Sequence, residues 1–131
     1  MERTFERWTA GEYSGYKLDV ENILLDKGLS IILRPENSTM KGLQLHWEHF
    51  VCYQVTDESY REDCWISDPK DYWAFYVSDD SEKLKVYRGK STLLPKHTRH
   101  FLLVGTNTVV DVLAPNNPEI ILVDEIGGIG R

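Results

Sequence analysis

The stretch HFLLVGTNTVVDVLAPNNPEIILVDE, residues His100 to Glu125, decides the fold that this sequence predicts. It contains three apolar runs, Phe101–Val104, Val109–Leu113 and Ile120–Val123, which short segments of Gly, Thr, Asn and Pro separate. Short β-branched runs bounded by such residues are typical of strands joined by turns. The first two runs are apolar at nearly every position, as in strands that are covered on both faces. We therefore expect this hairpin to lie in the middle of the core.

Further strand patterns lie on the N-terminal side of this stretch. Residues 17–33 predict a β-hairpin, with a short helix over 20–25 as the alternative. Alternating apolar and polar residues predict a strand at Leu43–Trp47. Apolar runs predict two more strands, at Phe50–Val55 and Tyr72–Val77. Most of these strands follow one another through short turns, which favours antiparallel pairing.

One short helix is predicted over residues 81–88. The segment Ser78–Ser81 supplies an N-cap, with acids in the first turn, and Gly89 stands where many helices end. The alternative is a strand at 83–87 that pairs back onto the preceding strand.

The patterns together predict a mainly β protein of the α+β class. We expect one globular domain over residues 1–131, with about seven mostly antiparallel strands and one short helix. Residues 1–16 read as an irregular lead-in and residues 126–131 as a flexible tail. Strand order and oligomeric state do not follow from these patterns.

Composition predicts a protein of the cytoplasm. The N-terminus has no hydrophobic segment of the kind found in signal peptides, and no apolar run reaches the roughly 18 residues that span a bilayer. Cys52 and Cys64 are too few for a disulfide framework. We therefore expect no membrane contact and two reduced thiols.

The charges are unevenly distributed along the chain. The net charge of −6 argues against nucleic-acid binding, which needs a basic surface. Residues 57–82 hold nine acids and two bases, whereas residues 83–110 hold six bases and no acid. Two solvated faces that partly neutralise each other would explain this pattern. The functional alternative is an acidic segment that attracts a basic partner protein.

Residue types that bind metals or carry out catalysis do not form a coherent set. His46 and His49 would point to opposite faces of a strand, so we expect no shared metal ion. The two cysteines lack ligand spacing, and no phosphate-binding loop is present, so no cofactor is predicted. Asp111 interrupts an apolar strand, and we expect it to pair structurally with Arg99 or His100 rather than to act as a catalytic acid.

These observations favour a non-catalytic protein-binding module, with an immunity or inhibitor protein that neutralises a basic toxin or nuclease as one concrete form. The expected surface is the acidic loop, residues 57–73, which combines carboxylates with aromatic residue types common at binding hot spots. Its candidate residues are Asp57, Glu58, Tyr60, Glu62, Asp63, Trp65, Asp68, Tyr72 and Trp73.

The alternative hypothesis is a small-molecule-binding or hydrolytic β-barrel-like domain. Its site would combine Trp47, His49, Tyr53 and Asp111 in one apolar pocket with converging polar groups. A third possibility is an accessory or oligomer-forming domain in which the acidic loop is merely solvated. The sequence does not separate these hypotheses.

Overall fold

The computed structural model describes residues 1–36 and 39–123, which form nine β-strands and one α-helix. The strands are β1 (Glu6–Arg7), β2 (Leu18–Leu25), β3 (Leu29–Pro35), β4 (Gly42–Trp47), β5 (Cys52–Asp57), β6 (Phe75–Ser78), β7 (Arg99–Val104), β8 (Thr108–Ala114) and β9 (Glu119–Val123), and the helix is α1 (Glu82–Lys90). Short 3₁₀ turns lie at Tyr13–Gly15, Glu58–Tyr60, Glu62–Cys64 and Pro69–Asp71.

The strands form two antiparallel sheets. One sheet has five strands in the order β1-β6-β7-β8-β5, and the other has four in the order β2-β3-β4-β9. The β7–β8 hairpin occupies the interior of the five-stranded sheet, with β6 on one side and β5 on the other. The expectation that this hairpin is central to the core is confirmed, because nearly every residue of both strands is buried.

The two sheets pack face to face and share one apolar core. Alternate residues of β3 and β4, among them Ile31 and Leu45, face alternate residues of β7 and β8, among them Phe101 and Val112. The ring centroids of Trp47 and Phe101 lie 5.4 Å apart across this interface. The period-2 alternation of strands therefore produces a β-sandwich with one buried face on each sheet.

The outer face of the five-stranded sheet is also covered. Leu102, Val109 and Tyr76 form a second buried cluster there with Cys64, which belongs to the acidic loop. Helix α1 lies against β7 and buries Leu84 completely. This second cover explains why the β7 and β8 sequences are apolar at nearly every position.

The predicted fold class, mainly β with one short helix and antiparallel strands, is confirmed. The described residues contain nine strands where about seven were expected. One addition is β1, a two-residue strand that pairs with β6 inside the predicted irregular lead-in. The expected tail at 126–131 lies outside the described residues.

Helix α1 begins where the sequence predicted and ends later. The Ser81 side chain accepts a hydrogen bond from the Leu84 N–H at 3.2 Å, so Ser81 is the N-cap. Gly89, expected just after the helix, lies inside it, and the C-cap is Ser91. The alternative strand at 83–87 is therefore not formed. In residues 1–36 and 39–123 no helix combines the length and hydropathy that crossing a bilayer requires.

The β2–β3 hairpin forms in place of the alternative helix over 20–25. Its turn depends on Gly28, whose φ of +117° is strained for any residue with a side chain. A Cβ on Gly28 would lie 2.1 Å from the Trp47 carbonyl oxygen, so only glycine fits this close approach of two backbones.

Candidate functional site

The acidic loop, residues 57–73, runs across the outer face of the five-stranded sheet. It contains three short 3₁₀ turns in place of a regular helix or strand. Asp57 begins the first turn by accepting a hydrogen bond from the Ser59 N–H at 2.8 Å. Asp68 begins the last turn in the same way, with the Lys70 N–H at 3.0 Å. These two carboxylates therefore shape the loop, as Asp commonly does in turns.

Arg61 and Cys64 attach the middle of the loop to the sheet. The Arg61 guanidinium contacts the Asp111 carboxylate at 2.6 Å and also pairs with Asp63 at 3.0 Å. The Cys64 thiol is buried, and burial raises its pKa to about 12. Desolvation is the largest cause of this rise in pKa, and the neighbouring Asp63 carboxylate adds to it.

Asp111 belongs to a buried chain of polar side chains on this face. Its other carboxylate oxygen lies 2.7 Å from Nε2 of His100, and Nδ1 of His100 lies 2.7 Å from the Ser81 hydroxyl. Because an ionised carboxylate only accepts hydrogen bonds, Nε2 of His100 donates the hydrogen in the contact with Asp111. The chain therefore joins α1, β7, β8 and the acidic loop.

The same contacts hold Asp111 in its ionised form. Burial alone would raise its pKa, but the hydrogen bond from His100 and the charge of Arg61 outweigh burial and hold the pKa below its ordinary value. The predicted pairing of Asp111 with His100 is thus present. Arg99, the other expected partner, pairs with Asp79 at 2.7 Å.

Ser81, His100 and Asp111 are the residue types of a hydrolytic triad, but their contacts here serve the structure of the fold. Ser81 is completely buried and caps α1, so no substrate carbonyl reaches its hydroxyl. The ring of Phe5 covers His100, with a centroid distance of 4.8 Å. The arrangement is suited to attaching the loop and the helix to the sheet.

Two aromatic residues of the acidic loop face solvent. Tyr60 is 80% exposed and Trp65 is 55% exposed, whereas the neighbouring Cys64 is buried. The indole N–H of Trp65 donates to the Glu58 carbonyl at 3.0 Å, so the exposed ring has a fixed position. The surface also presents Asp57, Glu58, Glu62 and Asp63, of which Glu58 is half-buried and the others are exposed.

The other two aromatic candidates of the loop are anchors. The Tyr72 hydroxyl donates to the Val104 carbonyl at 2.7 Å, and the Trp73 indole N–H donates to the Trp8 carbonyl at 2.8 Å. Both rings are half-buried, and Arg7 lies over the ring of Trp73. The structure therefore divides the predicted residues into an exposed group around Tyr60 and Trp65 and a group that holds the loop in place.

A recess that we name the Trp47 basin lies at the end of the four-stranded sheet where β4 ends. It is an open depression of about 400 Å³. Of the four residues of the alternative site, Trp47 and His49 line this basin. The other two lie elsewhere, since Tyr53 packs against the core from β5 and Asp111 contacts Arg61. Its lining residues are Lys27, His46, Trp47, Glu48, His49, Asn116, Asn117 and Glu119.

Both histidines of the HWEHF segment line the Trp47 basin. The premise that His46 and His49 share one strand is wrong, because β4 ends at Trp47 and His49 lies in the bend that follows. Nδ1 of His46 forms a hydrogen bond of 2.7 Å with the Ser30 hydroxyl. In residues 1–36 and 39–123, no group of three or more His, Cys, Asp or Glu side chains is arranged to hold a metal ion.

Sequence reasoning missed the role of Arg61. It lies fifty positions from Asp111, so no local pattern links them. The available signal was a pair of isolated charges, since Arg61 is one of only two bases in the acidic stretch and Asp111 is the one acid in a strand that is otherwise apolar. Because a carboxylate within an apolar strand needs a partner of opposite charge, these two isolated charges were candidates for an ion pair.

The fold and the site together define an antiparallel β-sandwich with an ordered acidic loop docked on one face. Comparison of the chain with protein-family models, curated proteins and solved structures finds no match.

Proposed function

We propose that this protein is a non-catalytic binding module whose acidic loop binds a basic partner protein. The observation that carries the proposal is the exposure of Tyr60 and Trp65 on a loop that Arg61 and Cys64 attach firmly to the sheet. Large exposed aromatic side chains on an ordered scaffold are the usual anchors of protein interfaces. The partner would cover these two rings at the centre of its contact.

The charges around the two rings favour a basic partner. The hydrogen bonds from Ser59 lower the pKa of Asp57, and the hydrogen bond from Arg61 lowers that of Asp63, so both are ionised at neutral pH. With Glu62 they give this surface a negative field that accelerates association with a cation. An immunity or inhibitor protein that neutralises a basic toxin or nuclease is the concrete form that we propose.

A non-catalytic role agrees with the burial of the polar chain. Ser81 caps a helix and is closed off from solvent, which leaves it without access to a substrate. We place the protein in the cytoplasm, since Cys52 and Cys64 are both free thiols, as is usual in a reducing compartment.

The first experiment is capture of partners from the source cell's lysate at low and high salt. We expect a basic protein that is retained at low salt and released at high salt, because screening weakens contacts between exposed charges. Tyr60→Ala with Trp65→Ala should lower the partner's affinity by about thirtyfold, which corresponds to a hot-spot loss of about 2 kcal/mol. Equal capture by the wild type and this variant would refute the proposal.

Association kinetics with the captured partner then test the charges. Glu58→Gln with Glu62→Gln should slow association and reduce its salt dependence, because these side chains contribute charge without starting the loop's turns. The matched control is Asp26→Asn with Glu119→Gln, which removes two exposed acids at the other end of the sandwich. Identical association rates for both double variants would show that steering does not come from the acidic loop.

The Trp47 basin supports a second candidate function, the binding of a small polar molecule. Its lining supplies the His49 imidazole together with amide, carboxylate and ammonium groups, whereas Trp47 is itself buried in the core. A thermal-shift screen of polar metabolites would test it. A true ligand raises the melting temperature of the wild type and of His97→Gln, a distant exposed control, but not that of His49→Gln.

A further inference from the structure

Four strands form the edges of the two sheets in the described part of the chain, and three of them are protected. β1 has only two residues, both charged, and β2 contains a bulge between Val20 and Asn22. In β5 the exposed Gln54 side chain accepts a hydrogen bond from Lys83 of α1, and the strand ends in Asp57. Short length, bulges and polar residues are the usual devices that prevent edge strands from pairing with other chains.

In the described part of the chain, the fourth edge strand, β9, is the least protected of the four. Its register with β4 runs from Glu119 to Val123 without a shift. Ile120, Ile121 and Leu122 are 42%, 38% and 54% exposed, and the one charge of the strand is at its start. An exposed apolar strand at the edge of a sheet is a template for another strand.

We propose that β9 pairs antiparallel with β9 of a second copy of this chain, about a two-fold axis at Ile121. The pairing joins two four-stranded sheets into one continuous sheet of eight strands across the dimer. A two-fold contact uses the same surface of both copies, so one strand must be complementary to itself.

The sequence of β9 meets this requirement. An antiparallel pairing centred on Ile121 places Ile121 opposite its own copy and Ile120 opposite Leu122. Each cross-strand pair in the middle of the contact is then apolar on apolar, and both faces of the strand contribute. Such pairs are the stabilising unit of a sheet.

The one charge within the strand is also compatible with two-fold pairing. Glu119 lies opposite Val123 of the second copy, so the two acidic side chains are at opposite ends.

This inference is independent of the proposed function. The acidic loop covers the outer face of the five-stranded sheet, whereas β9 is the edge of the four-stranded sheet. Failure of partner capture would leave the dimer proposal intact, and a monomeric protein would leave the partner proposal intact.

Sedimentation of the full chain over a range of concentrations tests the dimer. We expect a concentration-dependent dimer for the wild type, which Ile121→Lys weakens by at least about tenfold because it places two like charges opposite each other. The matched control is Leu93→Lys, which adds the same charge at a connector residue that is 89% exposed, and it should dimerise as the wild type does. Circular dichroism confirms that both variants are folded.

A crosslinking variant keeps the test decisive if Ile121→Lys does not fold. Ile121→Cys places two thiols directly opposite each other in the proposed register, at a distance that an interchain disulfide can span. Under mild oxidation it should form a covalent dimer, whereas the wild type, which carries Cys52 and Cys64, and Leu93→Cys should not.

Three results would overturn the proposal. The first is a wild type that is monomeric at every concentration, and the second is a dimer that Ile121→Lys does not weaken. The third is protection of the β9 amides from hydrogen exchange that does not change with concentration, because this would show that the same chain covers the strand.

Discussion

At the scale of single residues, Asp111 determines how the outer face is organised. It is a carboxylate within an apolar strand and receives contacts from His100 and Arg61. Removing one member of a buried charged pair is costly because the other member stays desolvated without its partner.

The substitution Asp111→Asn should therefore lower the free energy of unfolding by about 3 kcal/mol at neutral pH. The matched control is Asp79→Asn, since Asp79 also pairs with an arginine, Arg99, but its side chain is 70% exposed. Exposed pairs contribute at most about 1 kcal/mol. Urea unfolding of both variants measures the difference, and equal losses would show that the Asp111 pair has no special role.

The pH dependence of this stability has a definite sign. The pKa of Asp111 is lowered in the folded protein, so the unfolded chain binds its proton at a higher pH than the folded chain does. The stabilisation is present above the ordinary aspartate pKa of about 4 and is lost as the pH falls below it. Asp111→Asn should show a shallower loss of stability than the wild type below about pH 4; parallel curves would contradict this account.

At the scale of elements, the acidic loop is held by a few contacts that can be tested without a partner. Alkylation of Cys64 reports on loop opening, because its thiol is buried and its raised pKa of about 12 keeps it protonated. Arg61→Met should accelerate this labelling by at least about tenfold by removing the Asp111 contact, since the rate follows the population of open loop.

Peptide mass spectrometry after alkylation measures these rates, with the half-buried Cys52 as an internal reference. Arg88→Met is the control, because Arg88 pairs with Asp80 away from the loop. If Arg61→Met and Arg88→Met label Cys64 at the same rate, Arg61 does not hold the loop closed.

Two glycines should respond to the same substitution with opposite signs. Gly28→Ala adds a Cβ at 2.1 Å from a backbone oxygen at a φ of +117°, so it should destabilise the fold by at least about 2 kcal/mol. Gly89→Ala adds a Cβ into open space within α1 and should stabilise the protein by about 0.5–1 kcal/mol. Thermal unfolding of both variants tests the pair, and a stable Gly28→Ala would show that the hairpin turn has another conformation.

At the scale of the whole molecule, a β9 dimer would make stability depend on concentration. Association of folded chains stabilises the native state by mass action, so the melting temperature of the wild type should rise with protein concentration. Ile121→Lys should reduce this dependence, whereas Leu93→Lys should keep it. A hundredfold dilution changes the stabilisation by mass action by about 3 kcal/mol. A wild-type melting temperature that stays constant over this range would argue against the dimer.

The sequence predicted the architecture better than the site. Residues 101–113 predicted a strand pair covered on both faces because an apolar run is a local signal. Residues 78–81 predicted a helix start because capping is local as well. The contact between Arg61 and Asp111 spans fifty positions, so only the folded chain brings it together. The division of the acidic loop into exposed and anchoring aromatics also depends on tertiary packing, since Tyr60 and Tyr72 are the same residue type.

The hydrogen bond from the Trp65 indole to the Glu58 carbonyl has a consequence for recognition. A side chain that is already confined in the free protein loses little rotational entropy when a partner covers it, a loss that otherwise reaches about 0.5–1.5 kcal/mol for each immobilised side chain. Trp65 would therefore meet its partner as a preorganised group. Complex formation at this residue would resemble rigid docking, with the ring in nearly the same rotamer before and after contact.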